Sequence, residues 1–179
     1  GVRMVKPNAE QMRTLAVFRD IVLQNMHALG IVGIEQRKAL LEVPLGVLRS
    51  NATQRHGATR WRRLPSGDLE LEVVDLHPNL LVNEWADYAH FVLFHEYLHA
   101  LGYRQHNSAF RSLEALWPDG KGARRGREFT RSRRLARARW MWLCRKCGER
   151  YPRQKKGAGR YFCRTCNTAL VDEAVQDIQ

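Results

Sequence analysis

The four cysteines, Cys144, Cys147, Cys163 and Cys166, fall in two CxxC pairs within the last 36 of 179 residues and restrict what that end of the chain can become. A segment so short buries too little apolar surface to fold by burial alone. In the spacing C-x2-C-x15-C-x2-C, each pair can wrap two thiolates onto one side of a Zn2+, and the 15-residue span supplies a hairpin between them. Four thiolates close the coordination shell, so this zinc is expected to be structural and to hold the segment together. The opening residues, GVRMVKPNAEQ, lack the apolar core of a secretory signal, so an intracellular, metal-binding use of the cysteines is expected over disulfides. No run of 18 apolar residues occurs, so no membrane-spanning helix is expected.

Upstream, residues 8–29 place Leu15, Phe18, Ile21, Val22 and Met26 at helical spacing, and Gly30 ends the run. Residues 31–50 stay open between helix and strand, because Gly33 and Pro44 interrupt each periodic reading. Between 58 and 74, ATRWRRL and LELEVV alternate apolar with polar residues around a PSGD turn, which predicts a β-hairpin. A second helix begins near Asn83 or Glu84 and runs to Gly102, and a third covers Ser108 to Leu116. From Lys121 to Arg139 the chain carries nine Lys or Arg against one acid, which reads as a basic linker. The expected organisation is a front domain over 1–120, the linker over 121–139 and a four-cysteine module over 140–179.

The stretch FHEYLHALGYRQHNSAF, residues 94–110, begins in the second helix and runs on into the third. His95 and His99 are one turn apart on one helix face, a spacing that lets two imidazoles reach one Zn2+ at about 2.0–2.1 Å each. Glu96 then lies beside the metal, where it can take a proton from water and later return it to a leaving amine. This is the H-E-x-x-H arrangement of zinc hydrolases, chiefly peptidases. A catalytic zinc takes three protein ligands. Gly102 stands where the metzincin pattern wants its glycine, but Gln105 occupies the next ligand position and the histidine arrives one residue later at His106, so that pattern fails. His90 is turned off the metal face, and His27, His56 and His77 show no ligand spacing; packing or exposed roles are expected for all four.

The order of these parts resembles the SprT-like zincins, which include bacterial SprT proteins and eukaryotic Spartan. HEYLHALGYRQHNSAF matches an HExxH helix followed by a loop and a histidine leading into a further helix. The upstream LELEVVDLHPNLL and the trailing cysteine pairs fit the same layout, over roughly residues 60 to 170. The loop from His99 to His106 is short, closer to the compact WLM and YgjP-like zincins than to Spartan itself. The resemblance implies an α+β minimal zincin domain with a small sheet and a C-terminal zinc ribbon. It implies His106 as third ligand, with Phe110 packed behind it; Glu114 is the alternative ligand. Tyr103 and Arg104 are the candidates for stabilising an oxyanion. The implied activity is that of a DNA-dependent zinc metalloprotease cutting proteins bound or crosslinked to DNA, with one catalytic and one structural zinc.

Charge supports a polyanionic partner. The formal net charge is +12 and the sequence pI is about 10.2. The basic residues concentrate at Arg124, Arg125, Arg127, Arg131, Arg133 and Arg134, then Arg145 and Lys146, near Trp140 and Trp142. Cations interleaved with aromatics suit single-stranded or partly single-stranded DNA, through charge for phosphates and stacking for bases. Packing within the ribbon is the equal alternative for the two tryptophans. A monomer is expected, cytoplasmic and nucleoid-associated, or nuclear in a eukaryote. The rival reading is a nucleic-acid-binding zinc protein whose hydrolase site is degenerate or serves another reaction.

Overall fold

The computed structural model describes residues 5–178. It is a mixed α+β chain with two small sheets, divided into two compact units, Gly1–Ala123 and Arg124–Gln179. None of its helices is long and apolar enough to cross a membrane, among the described residues.

Helix α1 (Ala9–Ala28) starts at a reciprocal cap: Gln11 N donates to Asn8 Oδ1 at 2.8 Å, and Asn8 N donates to Gln11 Oε1 at 2.9 Å. Its buried stripe is Leu15, Phe18, Val22, Leu23 and Met26. Ile21, expected in that stripe, is 37 % exposed while Leu23 is fully buried. At 100° per residue Ile21 lies about 60° beyond Phe18, at the stripe's edge, so a match in spacing did not secure burial. The open segment 31–50 resolves into α2 (Ile34–Leu41) and a short strand β1 (Leu45–Val47), with Pro44 at the junction.

Strands β2 (Gly57–Arg63) and β3 (Leu69–Leu76) form the expected antiparallel hairpin, and β1 joins the other edge of β3 in parallel, giving the order β1-β3-β2. The register slips between Arg60, opposite Val73, and Trp61, opposite Leu71, so Glu72 is the extra residue of a bulge. One sheet face supplies the core residues Val47, Val74 and Leu76. On the other face Asp75 is buried and ion-paired with Arg60 at 2.9 Å. Gly46 makes room for it, since a Cβ there would stand 2.3 Å from Asp75 Oδ1.

Two short 3-10 turns (Pro78–Leu80, Asn83–Trp85) lead into α3 (Ala86–Ala100), which packs on α1 and on the hairpin with Ala89, Leu93, Phe94, Tyr97 and Leu98 fully buried. Gly102, at φ +110°, reverses the chain after α3, and α4 (Ser108–Glu114) follows, capped by Asn107 Oδ1 on Phe110 N at 3.1 Å.

Within the basic segment 121–139, Gly122–Arg137 form helix α5. Arg, Ala and Leu are good helix formers and only Gly126 interrupts them, so a helix suits this composition. The second sheet is antiparallel with order β5-β4-β6, from β4 (Trp140–Leu143), β5 (Arg150–Arg153) and β6 (Val171–Ala174).

Candidate metal centres

In the first unit three imidazoles converge. The Nε2 atoms of His95, His99 and His106 lie 3.2 Å (95–99), 3.0 Å (99–106) and 3.2 Å (95–106) apart. Two nitrogens each about 2.1 Å from a tetrahedral ion would be about 3.4 Å apart, so the set fits zinc with a small expansion. The opposite ring nitrogens explain the orientation. His95 Nδ1 faces Glu114 Oε2 at 2.5 Å, and His99 Nδ1 donates to the Tyr103 carbonyl at 2.7 Å. A proton on Nδ1 leaves the Nε2 lone pair pointing inward, and three lone pairs this close repel unless a cation lies between them. Phe110 is fully buried behind the group, its ring centroid 4.8 Å from each of the three imidazole centroids.

Electrostatics favours the neutral imidazoles that ligation needs. Burial lowers the pKa of His95 against the opposing pull of Glu114, and burial together with His99 and Arg111 lowers that of His106. Glu114 faces His95 Nδ1 and lies outside the three-histidine group that could hold a metal; Arg111 Nη1 holds its other oxygen at 3.1 Å. The reversal at Gly102 is what carries the Tyr103 carbonyl under His99.

Glu96 is 7 % exposed, and burial raises its pKa, opposed first by the Thr59 hydroxyl. Thr59 Oγ1 lies 2.7 Å from Glu96 Oε2 and 2.9 Å from the Glu96 carbonyl, so its one proton can serve either oxygen. Gly57 permits this approach of β2 to α3, because a Cβ there would meet Val92 Cγ1 at 2.7 Å and Glu96 Cγ at 3.0 Å. Thr59 and Gly57 carried no signal in the sequence, since their partners lie more than thirty positions away. The Tyr103 side chain is exposed, and the Arg104 guanidinium stands 5.7 Å from the Trp61 ring centroid. The remaining histidines have packing partners: His27 Nδ1 meets the Val32 carbonyl, His56 Nδ1 the Tyr88 hydroxyl, His77 Nε2 the Ala52 carbonyl, and His90 packs edge-on against Phe18.

In the second unit all four cysteines are free, and their sulfurs gather within 4.8 Å of one another. Cys147 and Cys163 Sγ are 3.7 Å apart, against about 3.8 Å for two sulfurs each about 2.3 Å from a tetrahedral zinc. The two knuckles are built alike. Cys144 N donates to Glu149 O and Gly148 N to Cys144 O; Cys163 N donates to Thr168 O and Asn167 N to Cys163 O. The fourth residue after each leading cysteine is left-handed, Gly148 at φ +78° and Asn167 at +51°. The Cys166 N–H and the Tyr151 hydroxyl draw the Cys163 thiol down to about 6, whereas proton sharing with Cys147 and burial push Cys166 up to about 12. Four thiolates brought this close would need a cation such as zinc to hold their charges together.

The residues expected to meet nucleic acid all fall in this second unit. Arg124, Arg127, Arg131 and Arg134 are exposed on α5, with Arg125 and Arg133 half-buried; Arg145 and Lys146 are exposed in the first knuckle. Trp140 and Trp142 are half-buried on β4. Trp142 stacks on Tyr161 at 4.4 Å, carries Arg153 at 5.0 Å and donates from Nε1 to the Lys155 carbonyl at 2.9 Å. Lys156 stands 4.7 Å over Trp140. Trp142 thus packs within the unit, and the more exposed rings are Tyr161 at 47 % and Phe162 at 55 %. Asp172 accepts from Gly157 N and Ala158 N at 2.7 and 2.9 Å, pinning the loop that carries the lysines and Tyr161. Comparison of the chain with protein families, with curated proteins and with solved structures finds no match.

Proposed function

We propose that the chain is a zinc metallopeptidase of SprT-like type, joined to a four-cysteine zinc ribbon, that cuts proteins bound or crosslinked to DNA. The observation that carries this reading is the convergence of three imidazole Nε2 atoms beside a buried glutamate that is not itself one of the group. A purely structural site has no use for that glutamate.

A zinc ion on His95, His99 and His106 would polarise water and the scissile carbonyl. Glu96 is placed to do the proton work. Its carboxyl is buried, which raises its basicity, and Thr59 fixes Oε2 from β2. It accepts the proton of the attacking water and then delivers it to the departing amine. Among the described residues β2 pairs only with β3, so its outer edge can receive an extended peptide by strand addition next to Thr59. Glu114 and the Tyr103 carbonyl keep the two helix histidines in the ligating tautomer. The basic surface of the second unit supports DNA as the element that brings enzyme and substrate together.

The test is cleavage of a histone with and without single-stranded DNA, by the parent protein and by Glu96→Gln. Cleavage by the parent in the presence of DNA is expected, with a loss of about 10²–10⁴-fold in the variant at unchanged zinc content. Equal cleavage by both proteins, or none by either under any condition, defeats the proposal.

A further inference from the structure

Helix α5 carries its exposed arginines in register. Arg124, Arg127, Arg131 and Arg134 follow one another at steps of three, four and three residues, and all four are exposed. At 100° and 1.5 Å per residue they occupy an arc of about 80° along about 15 Å of helix. Phe129, on the opposite side of the helix, is fully buried, so the arginine side is the outward one. The only acid in the helix, Glu128, is engaged by Arg124 at 3.7 Å and Arg125 at 2.7 Å. Arg127, Arg131 and Arg134 have no carboxylate partner among the described residues.

Like charges three and four residues apart weaken a helix. A stripe of them is stabilised by a partner with regularly spaced negative charge. At the end of α5 the chain runs on into the sheet. Arg139 N donates to the Arg153 carbonyl at 3.0 Å, and Arg153, held over Trp142, feels both Arg134 and Arg164 as like charges after burial, all three lowering its pKa. The stripe itself holds no aromatic ring, so it offers nothing for an unpaired base to stack on. Its length of about 15 Å matches the rise of about four base pairs of a rigid duplex.

We propose that the outward arginine stripe of α5 is a docking surface for the phosphate backbone of double-stranded DNA. Docking there is independent of base sequence, because every contact is to phosphate. The proposal rests on DNA being the partner of the chain and adds which surface holds it and which form of DNA that surface takes.

The experiment uses the full zinc-loaded chain carrying Glu96→Gln, so that proteolysis plays no part. Binding to two unrelated duplexes and to one single strand is measured against salt concentration. The combined variant Arg127→Gln, Arg131→Gln, Arg134→Gln is expected to flatten the slope of log K against log salt by about 2.7 for both duplexes, at about 0.9 per phosphate contact. The Lys counterpart of that variant keeps the slope, and Arg131→Gln alone lowers it by about 0.9 should the triple variant lose helix. An unchanged slope in a Gln variant that still binds duplex overturns the proposal and leaves the peptidase reading intact. A loss confined to the single strand overturns the duplex assignment. Failure of the parent to bind either form removes DNA as the partner, and the docking surface with it.

Discussion

The two candidate metal centres pose opposite problems. The three histidines sit on a framework that burial has already built: α3 is packed on α1 and on the hairpin, and Phe94, Tyr97, Leu98 and Phe110 are fully buried around it. The four cysteines have almost no such framework. The only buried cluster in their surroundings, among the described residues, is Cys144, Cys163 and Leu170, with Trp142, Tyr151 and Cys166 leaning on it. Three ligands leave a coordination position for chemistry, whereas four close the shell. A centre with a spare position must therefore borrow its rigidity from a hydrophobic core, while a closed centre can act as the core itself.

Removing ligands is the most forceful way to break this contrast. Cys163→Ser should unfold the second unit, because structural zinc in such modules contributes on the order of 10 kcal/mol. His99→Ala should release the other zinc and leave the first unit folded. Zinc stoichiometry together with limited proteolysis of the full chain checks both. Proteolytic sensitivity that spread through residues 5–120 of the histidine variant would erase the distinction.

A smaller effect belongs to the first unit alone. Burial, with His77 nearby, lowers the pKa of His56 from 6.5 to about 4. The unfolded chain then takes up the proton first. The contribution to stability is complete above pH 6.5 and is lost as pH falls toward 4, by about 2 kcal/mol once solvent screening of the half-buried ring is allowed for. Urea midpoints of the parent should drop across that window. His56→Gln should flatten the drop, and a parallel drop in the variant would assign it to other groups.

The partner of His95 separates positioning from ligation. Glu114→Gln should weaken zinc binding at the histidine centre by about 10–100-fold and leave the cysteine centre untouched. Loss of the metal altogether would return Glu114 to the ligand group. The smallest effect compares the two knuckles. Gly148→Ala forces a Cβ into a left-handed position and should cost about 1–2 kcal/mol in the second unit. Asn167→Gly should cost next to nothing, since the position already has the conformation glycine prefers. Equal melting of the two variants would show that the knuckles are not equivalent.

Local periodicity made much of this legible. The hairpin, the helix bearing His95 and His99, the helix ending near Glu114 and the gathering of four sulfurs all follow from residues close in sequence, where spacing alone fixes which side chains can meet. Where the pattern misled, the causes are specific. Ile21 has helical spacing but lies past the edge of the buried stripe. The charge of residues 121–139 said nothing of their conformation, and their helix formers make Gly122–Arg137 a helix.

By itself the sequence determined the donor atoms: three imidazoles and a glutamate in one short stretch, four thiols in another, and a strong positive charge between and around the latter. Only the tertiary structure decided how they are arranged. It gathered His106 with His95 and His99, set Glu114 on the far nitrogen of His95, and brought Thr59 onto Glu96. It also turned four arginines of α5 to one side. The reason is physical: ligand identity is a property of side chains, but which nitrogen faces inward, and which carboxyl is buried, depends on elements that meet only when the chain is folded.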